Sequence, residues 1–134
     1  RLGRIAGQMR LEEKAEAISR AFSHEVKHMP IGYAQLMAGV DFAAGPSREV
    51  VIAGQREGAD TQAMLRAIRS RYEPNQVVLL RETGEAEPAI TKIARFTRYL
   101  TGIENRATAY VCRDYRCESP TTEVAELLEQ VHED

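Results

Sequence analysis

The sequence has no tryptophan, only two cysteines and three histidines, and no apolar run near the roughly 20 residues that a membrane-spanning helix needs. The N-terminus also lacks the apolar core of a signal peptide. Two cysteines are too few for a disulfide scaffold, so a reducing, cytoplasmic setting is the default expectation. Neither sign of charge dominates. Lys plus Arg number 18 against 20 Asp plus Glu, and a net charge of −2 gives no reason to expect nucleic acid or an anionic membrane as partner. Basic residues do recur from Arg66 to Arg71, but they alternate with Ala67, Ile68 and Ser70, as on a solvated helix face.

What is present is enough for a real core. At 134 residues and 43% hydrophobic content, the chain suits one compact domain, or a small domain with part of a neighbour attached. It starts at Arg1, with no initiator Met, inside a helical pattern. That reads as a piece of a longer protein.

Periodicity divides the chain at Gly45-Pro46-Ser47. Before this point the pattern is helical. Leu2, Ile5, Ala6 and Met9 mark the end of one helix, with Gly7 as its stop. Leu11, Ala15, Ile18, Phe22 and Val26 recur every three or four residues and predict a helix from about Leu11 to His28. Pro30 suits the first turn of the next helix, where Tyr33, Leu36, Met37 and Val40 form an apolar stripe. These two helices make an αα-hairpin that cannot bury both faces alone.

After Pro46 the pattern becomes α/β. Glu49–Ala53 and Gln76–Arg81 read as buried strands, and between them Met64, Leu65, Ile68 and Tyr72 line one side of a helix capped by Asp60 or Thr61. Strand, helix and strand at these spacings predict a βαβ unit with parallel strands. Ile90, Ile93 and Ala94 suggest a short helix, and Thr108–Cys112 a third strand. Ser119-Pro120-Thr121-Thr122 starts a closing helix with Val124, Leu127, Leu128 and Val131 facing inward. The fold class is therefore α/β: an N-terminal helical hairpin over 1–45, then a small, mainly parallel unit of about three strands over 46–134.

Three constellations carry chemistry. His24-Glu25-Val26-Lys27-His28 matches H-E-x-x-H, which on a buried helix binds zinc and supplies the base of a metallopeptidase. With Ile18, Phe22 and Val26 marking the core side, His24 lies roughly 200° from Phe22 and His28 roughly 200° from Val26, so both point away from it. A third ligand is also wanting. The longer H-x-x-G-x-x-H extension fails at Ile31 and Ala34, the remaining histidine is His132, and Glu49 and Glu57 fall on a strand and in a loop. No metal is assigned.

The turn Gly54-Gln55-Arg56-Glu57-Gly58-Ala59-Asp60-Thr61 sits where phosphate-binding loops sit, after a strand and before a helix. Its glycines are four apart, no lysine follows, and Glu57 and Asp60 would repel phosphate. A plain βα turn is the better account, and no cofactor is expected. Cys112 and Cys117 are separated by four residues, unlike the C-x-x-C of thioredoxin-type sites, and two further soft ligands for zinc are wanting. Two small buried thiols flanking a turn is the preferred reading. A turn folding back as a hairpin would bring the sulfurs together, which leaves a disulfide or redox role open for Cys112 and Cys117.

The segments Val40–Gly54 and Ala107–Cys112, continuing to Cys117 and Pro120-Thr121-Thr122, resemble the C-terminal portion of thioredoxin-domain proteins of the spermatogenesis-associated type. Such proteins pair a thioredoxin-like domain with an (α/α)6 toroid similar to N-acylglucosamine 2-epimerases and six-hairpin glycosidases. The resemblance implies that 1–45 is the last hairpin of that toroid and 46–134 an appended α/β module. It further implies a structural or interaction role without catalysis by the module itself, with the remainder of the longer chain, toroid and thioredoxin-like domain, as partner. A homo-oligomer stays open. The alternative is a segment of a carbohydrate-modifying or redox enzyme whose site other domains complete.

Overall fold

A computed structural model describes residues 1–113 and 116–132. The helical region comprises α1 (Leu2–Ala6), α2 (Met9–Ala21), α3 (Ser23–His28), a 3-10 turn (Pro30–Tyr33) and α4 (Ala34–Ala44). Gly7 ends α1 with φ 60°, and its amide reaches back to the Arg4 carbonyl, as the sequence suggests. A residue with a Cβ pays for that left-handed conformation, whereas glycine adopts it freely.

The single helix expected from about Leu11 to His28 is broken at Phe22, whose φ of −97° and ψ of 10° end α2 before α3 begins. Phe22 then packs near Tyr33, with ring centroids 6.0 Å apart, and this contact ties the α2–α3 junction to the 3-10 turn that leads into α4. The middle of the stripe is uncovered, with Leu11 and Val26 half-buried at its ends. Ile18 is 51% exposed and Phe22 43%, and none of α2 or α3 is buried.

The α/β region consists of β1 (Arg48–Gly54), α5 (Ala59–Arg69), β2 (Gln76–Glu82), α6 (Ile90–Ile93), a 3-10 turn (Arg95–Tyr99), β3 (Thr108–Arg113), β4 (Arg116–Cys117) and α7 (Val124–His132). The strands lie in the order β2-β1-β3-β4. β1 and β2 are parallel, in register from Arg48 with Gln76 to Gly54 with Glu82, as the βαβ pattern predicts. The α/β class holds, but the sheet is mixed rather than mainly parallel, because β3 runs antiparallel to β1 and β4 antiparallel to β3.

The reason lies in the connection from β2 to β3. It leaves at Glu82, beside Gly54, and delivers Thr108 beside Ala53, at the same end of the sheet. A parallel third strand would need a crossover spanning the sheet's length. This connection instead folds into two short helical pieces, whose buried Thr91 and Thr97 hydroxyls donate to the carbonyls of Pro88 and Ala94.

β1 is central and buried along its whole length. On one face Val50 and Ile52 meet Met64, Leu65 and Ile68 of α5 and Leu127 and Val131 of α7. On the other face Val51, Val77 and Leu79 meet Phe42, Ala94 and Phe96, with Ile5 against them. Each Val or Ile so buried contributes about 1.5–3 kcal/mol, so both faces of β1 must be covered. Tyr72, expected on the inner side of α5, lies beyond its end and is 89% exposed.

α1 and the end of α4 therefore belong to the packing of the sheet, although they precede the change in periodicity. Arg4 of α1 also pairs with buried Glu49 at 3.6 Å and with Glu12 at the same distance. Arg1 lies over the Phe42 ring, 5.0 Å from its centroid, and donates to the Pro74 carbonyl at 2.6 Å. No helix among the described residues is long and apolar enough to cross a membrane.

Candidate functional site

The carboxyl ends of β1 and β2 face a cleft of about 470 Å³. The turn after β1 forms one wall. Gly54 is required there, because a Cβ would collide with Thr61 Oγ1 and press on Ala107 Cβ at 3.1 Å. Asp60, in the first turn of α5, accepts the Thr61 amide at 2.8 Å through Oδ1 and the Ala107 amide at 2.6 Å through Oδ2. The Ala107 bond first, then the Thr61 bond, hold its carboxyl below its ordinary pKa. The charge that sequence reasoning treats as repelling a phosphate is thus engaged with backbone, clamping the βα turn to the segment before β3.

Sequence reasoning missed Arg81. It closes β2 on the face shared with Val77 and Leu79, is only 7% exposed, and lines the cleft. The signal was there to read: a cation at the end of an apolar run, in phase with its inward-facing positions.

The structure joins Cys112 and Cys117. Their sulfurs are bonded at 2.03 Å across the β3–β4 pair, which places the two residues directly opposite. Cys112 is buried and Cys117 exposed, so one end of the bond is anchored in the core and the other lies at the water-facing sheet edge. The preferred expectation of two free, packed thiols gives way to this bond, because the chain does fold back after Arg113.

His24 and His28 stack on one another with ring centroids 4.2 Å apart, and His28 Nδ1 donates to the His24 carbonyl at 2.9 Å. Both are exposed. Among the described residues no group of three or more His, Cys, Asp or Glu is placed to hold a metal ion. A peptidase needs a buried, three-ligand setting, and this pair lacks it. His132 is remote in role as well, its Nε2 accepting from Arg71 Nη1 at 2.8 Å.

Fold and site together define a small mixed α/β module with a helical extension, a polar cleft at its strand ends and one disulfide. Over nearly its whole length the chain is similar to spermatogenesis-associated protein 20: 28% identical over 132 residues to that of Homo sapiens and 26% over 133 residues to that of Rattus norvegicus. These alignments take in 98% and 99% of this chain but 17% of each relative, so the chain spans about a sixth of the length of the curated relatives it matches. No protein-family model matches the chain. No solved structure matches it.

Proposed function

We propose that this chain is the C-terminal structural and interaction module of a longer protein of the thioredoxin-domain type, with no catalysis of its own. Residues 1–45 are the closing hairpin of an (α/α) toroid and 46–134 the α/β module that follows it. The observation that carries this reading is the uncovered apolar face of the hairpin. Ile18, Phe22, Met37 and Val40 are each more than 40% exposed, while the sheet beneath is closed on both sides. An apolar face of this kind marks an interaction surface, and helices in such folds bury it against neighbouring helices. Relatives about six times longer, of which this chain matches 17%, have the additional chain to supply those neighbours.

Hydrogen exchange tests the proposal. Amides of α2, α3 and α4 are expected to exchange quickly in the 134-residue chain and to gain protection in the longer protein. Equal protection in both would sink the reading, as would turnover by the short chain that a substitution within it abolishes.

The Cys112–Cys117 bond favours a second reading, in which the chain is part of a redox or carbohydrate-modifying enzyme completed elsewhere in the longer protein. A dithiol reductant would attack Cys117 Sγ and release the Cys112 thiolate, and its second thiol would then close the reductant's own disulfide. Thiol titration after exposure to a dithiol protein distinguishes the two. Rapid, reversible appearance of two thiols supports the redox reading, and a bond that resists exchange until the chain unfolds supports the structural one.

A further inference from the structure

The two connections that leave the parallel strand pair diverge. From β1 the chain passes to α5, which packs on the face of Val50 and Ile52; from β2 it passes to α6, on the opposite face with Val51 and Leu79. Adjacent parallel strands whose connections leave on opposite sides open a crevice between the loops, and in open α/β sheets that crevice is where ligands bind. Here it is the cleft of about 470 Å³, within the size range of small-molecule sites.

Arg81 gives this cleft its chemistry. Its Nε is shielded from solvent and has no hydrogen-bond partner among the described residues, where the guanidinium makes one long bond, Nη1 to the Glu82 carbonyl at 3.3 Å. The acids nearby are otherwise engaged or apart. Glu82 points to the other face and pairs with Arg56 at 3.4 Å, and both Asp60 oxygens accept backbone amides. Glu85 lines the rim, exposed, without pairing with Arg81. Arg106, the other cation of the cleft, is held by Glu123 at 2.8 Å.

An arginine cannot shed its proton to escape burial, and a buried cation without a counter-charge is costly. The natural counter-charge is an oxyanion, which the guanidinium fork matches in shape. We propose that the cleft binds a small metabolite through a single oxyanion, a carboxylate or a phosphate monoester, received by Arg81. Thr83, Thr101 and Asn105 supply polar walls for the rest of the molecule. A polyphosphate fits less well, since no lysine follows the Gly58 turn and Arg106 is already held by Glu123.

The test is an NMR titration of the isotopically labelled 134-residue chain with inorganic phosphate and, separately, with glycolate, against sodium chloride at matched ionic strength. One of the two oxyanions is expected to give saturable shifts, in the low millimolar range, at the Arg81 Nε–H and at the Gly54, Gly102 and Ala107 amides. The arm that saturates names the oxyanion. Arg81→Lys, which keeps the charge but loses the fork, is expected to weaken binding about tenfold. Arg81→Met should abolish it. Shifts that fail to saturate, that follow sodium chloride, or that persist in the variants overturn the proposal. Because the Arg81 Nε–H is read in the unsubstituted chain, the result stands even if a variant does not fold.

Discussion

Asp60 accepts the amide of Ala107 at 2.6 Å, 47 residues further along the chain, and so joins the start of α5 to the start of β3. The bond fixes the loop before β3 against the βα turn and sets one wall of the cleft.

Replacing this carboxylate has a pH signature. In the folded chain the carboxyl is depressed, chiefly by the Ala107 and Thr61 bonds. Its contribution is therefore complete above the ordinary aspartate value of about 4 and is lost as pH falls through the lower folded value. Asp60→Asn is expected to cost about 1 kcal/mol at neutral pH, below the usual range for charged hydrogen bonds because the group faces water. It should also flatten the fall of stability below about pH 4. Urea unfolding across that range measures both effects.

Gly54 and Thr61 should be coupled. Gly54→Ala drives a methyl against Thr61 Oγ1 and Ala107 Cβ, and is expected to destabilise by about 1–3 kcal/mol. Adding Thr61→Ala removes the nearest obstacle, a fully buried hydroxyl with no hydrogen-bond partner among the described residues. The double variant should recover part of the loss, and a double-mutant cycle by denaturant unfolding reads the coupling. Strict additivity would mean that the crowding lies elsewhere.

Cys112 and Cys117 close a loop five residues apart in sequence. A loop that short restricts the unfolded chain modestly, so replacing both by serine is expected to cost about 2 kcal/mol. The sheet should persist, since β1, β2 and β3 pair without the bond. Circular dichroism and urea titration check the fold and the loss.

The hairpin should behave differently from the core. Ile18→Ser with Val40→Ser alters side chains 51% and 42% exposed, and each is expected to shift the stability of the short chain by no more than about 0.5 kcal/mol. Ile52→Ala, at a fully buried position of β1, should cost about 2–5 kcal/mol. Dye binding to exposed apolar surface should fall in the first variant and not in the second while it remains folded. If, as proposed, that face is covered in the longer protein, the same pair of serines is expected to be costly there.

Much of the local structure was legible. Gly7 as a stop, the strands beginning near Arg48, Gln76 and Thr108, and the Thr121 signal ahead of α7 all appear, whereas Pro30 opens a separate 3-10 turn and α4 begins only at Ala34. At that last site Thr121 Oγ1 accepts the Glu123 amide at 3.0 Å and donates to Glu126 at 2.6 Å. The break at Phe22 was not legible, because an apolar residue in phase with the helix carries no stop signal. The exposure of Ile18 and Phe22 was hidden for a related reason. Periodicity reports that a face is apolar, not that a partner for it lies in the same chain.

By itself, then, the sequence determined most of the helices and the three longer strands, since those follow from short-range spacing and turn chemistry, but not the break at Phe22 or the short β4. Only the tertiary structure decided the direction of β3, the bond between Cys112 and Cys117, the engagement of Asp60 with Ala107 and the burial of Arg81 without a counter-charge. Each of these depends on where distant segments meet. A 25-residue connection from Thr83 to Ala107 can return to either end of a sheet, and the choice is made by which apolar faces it covers on the way.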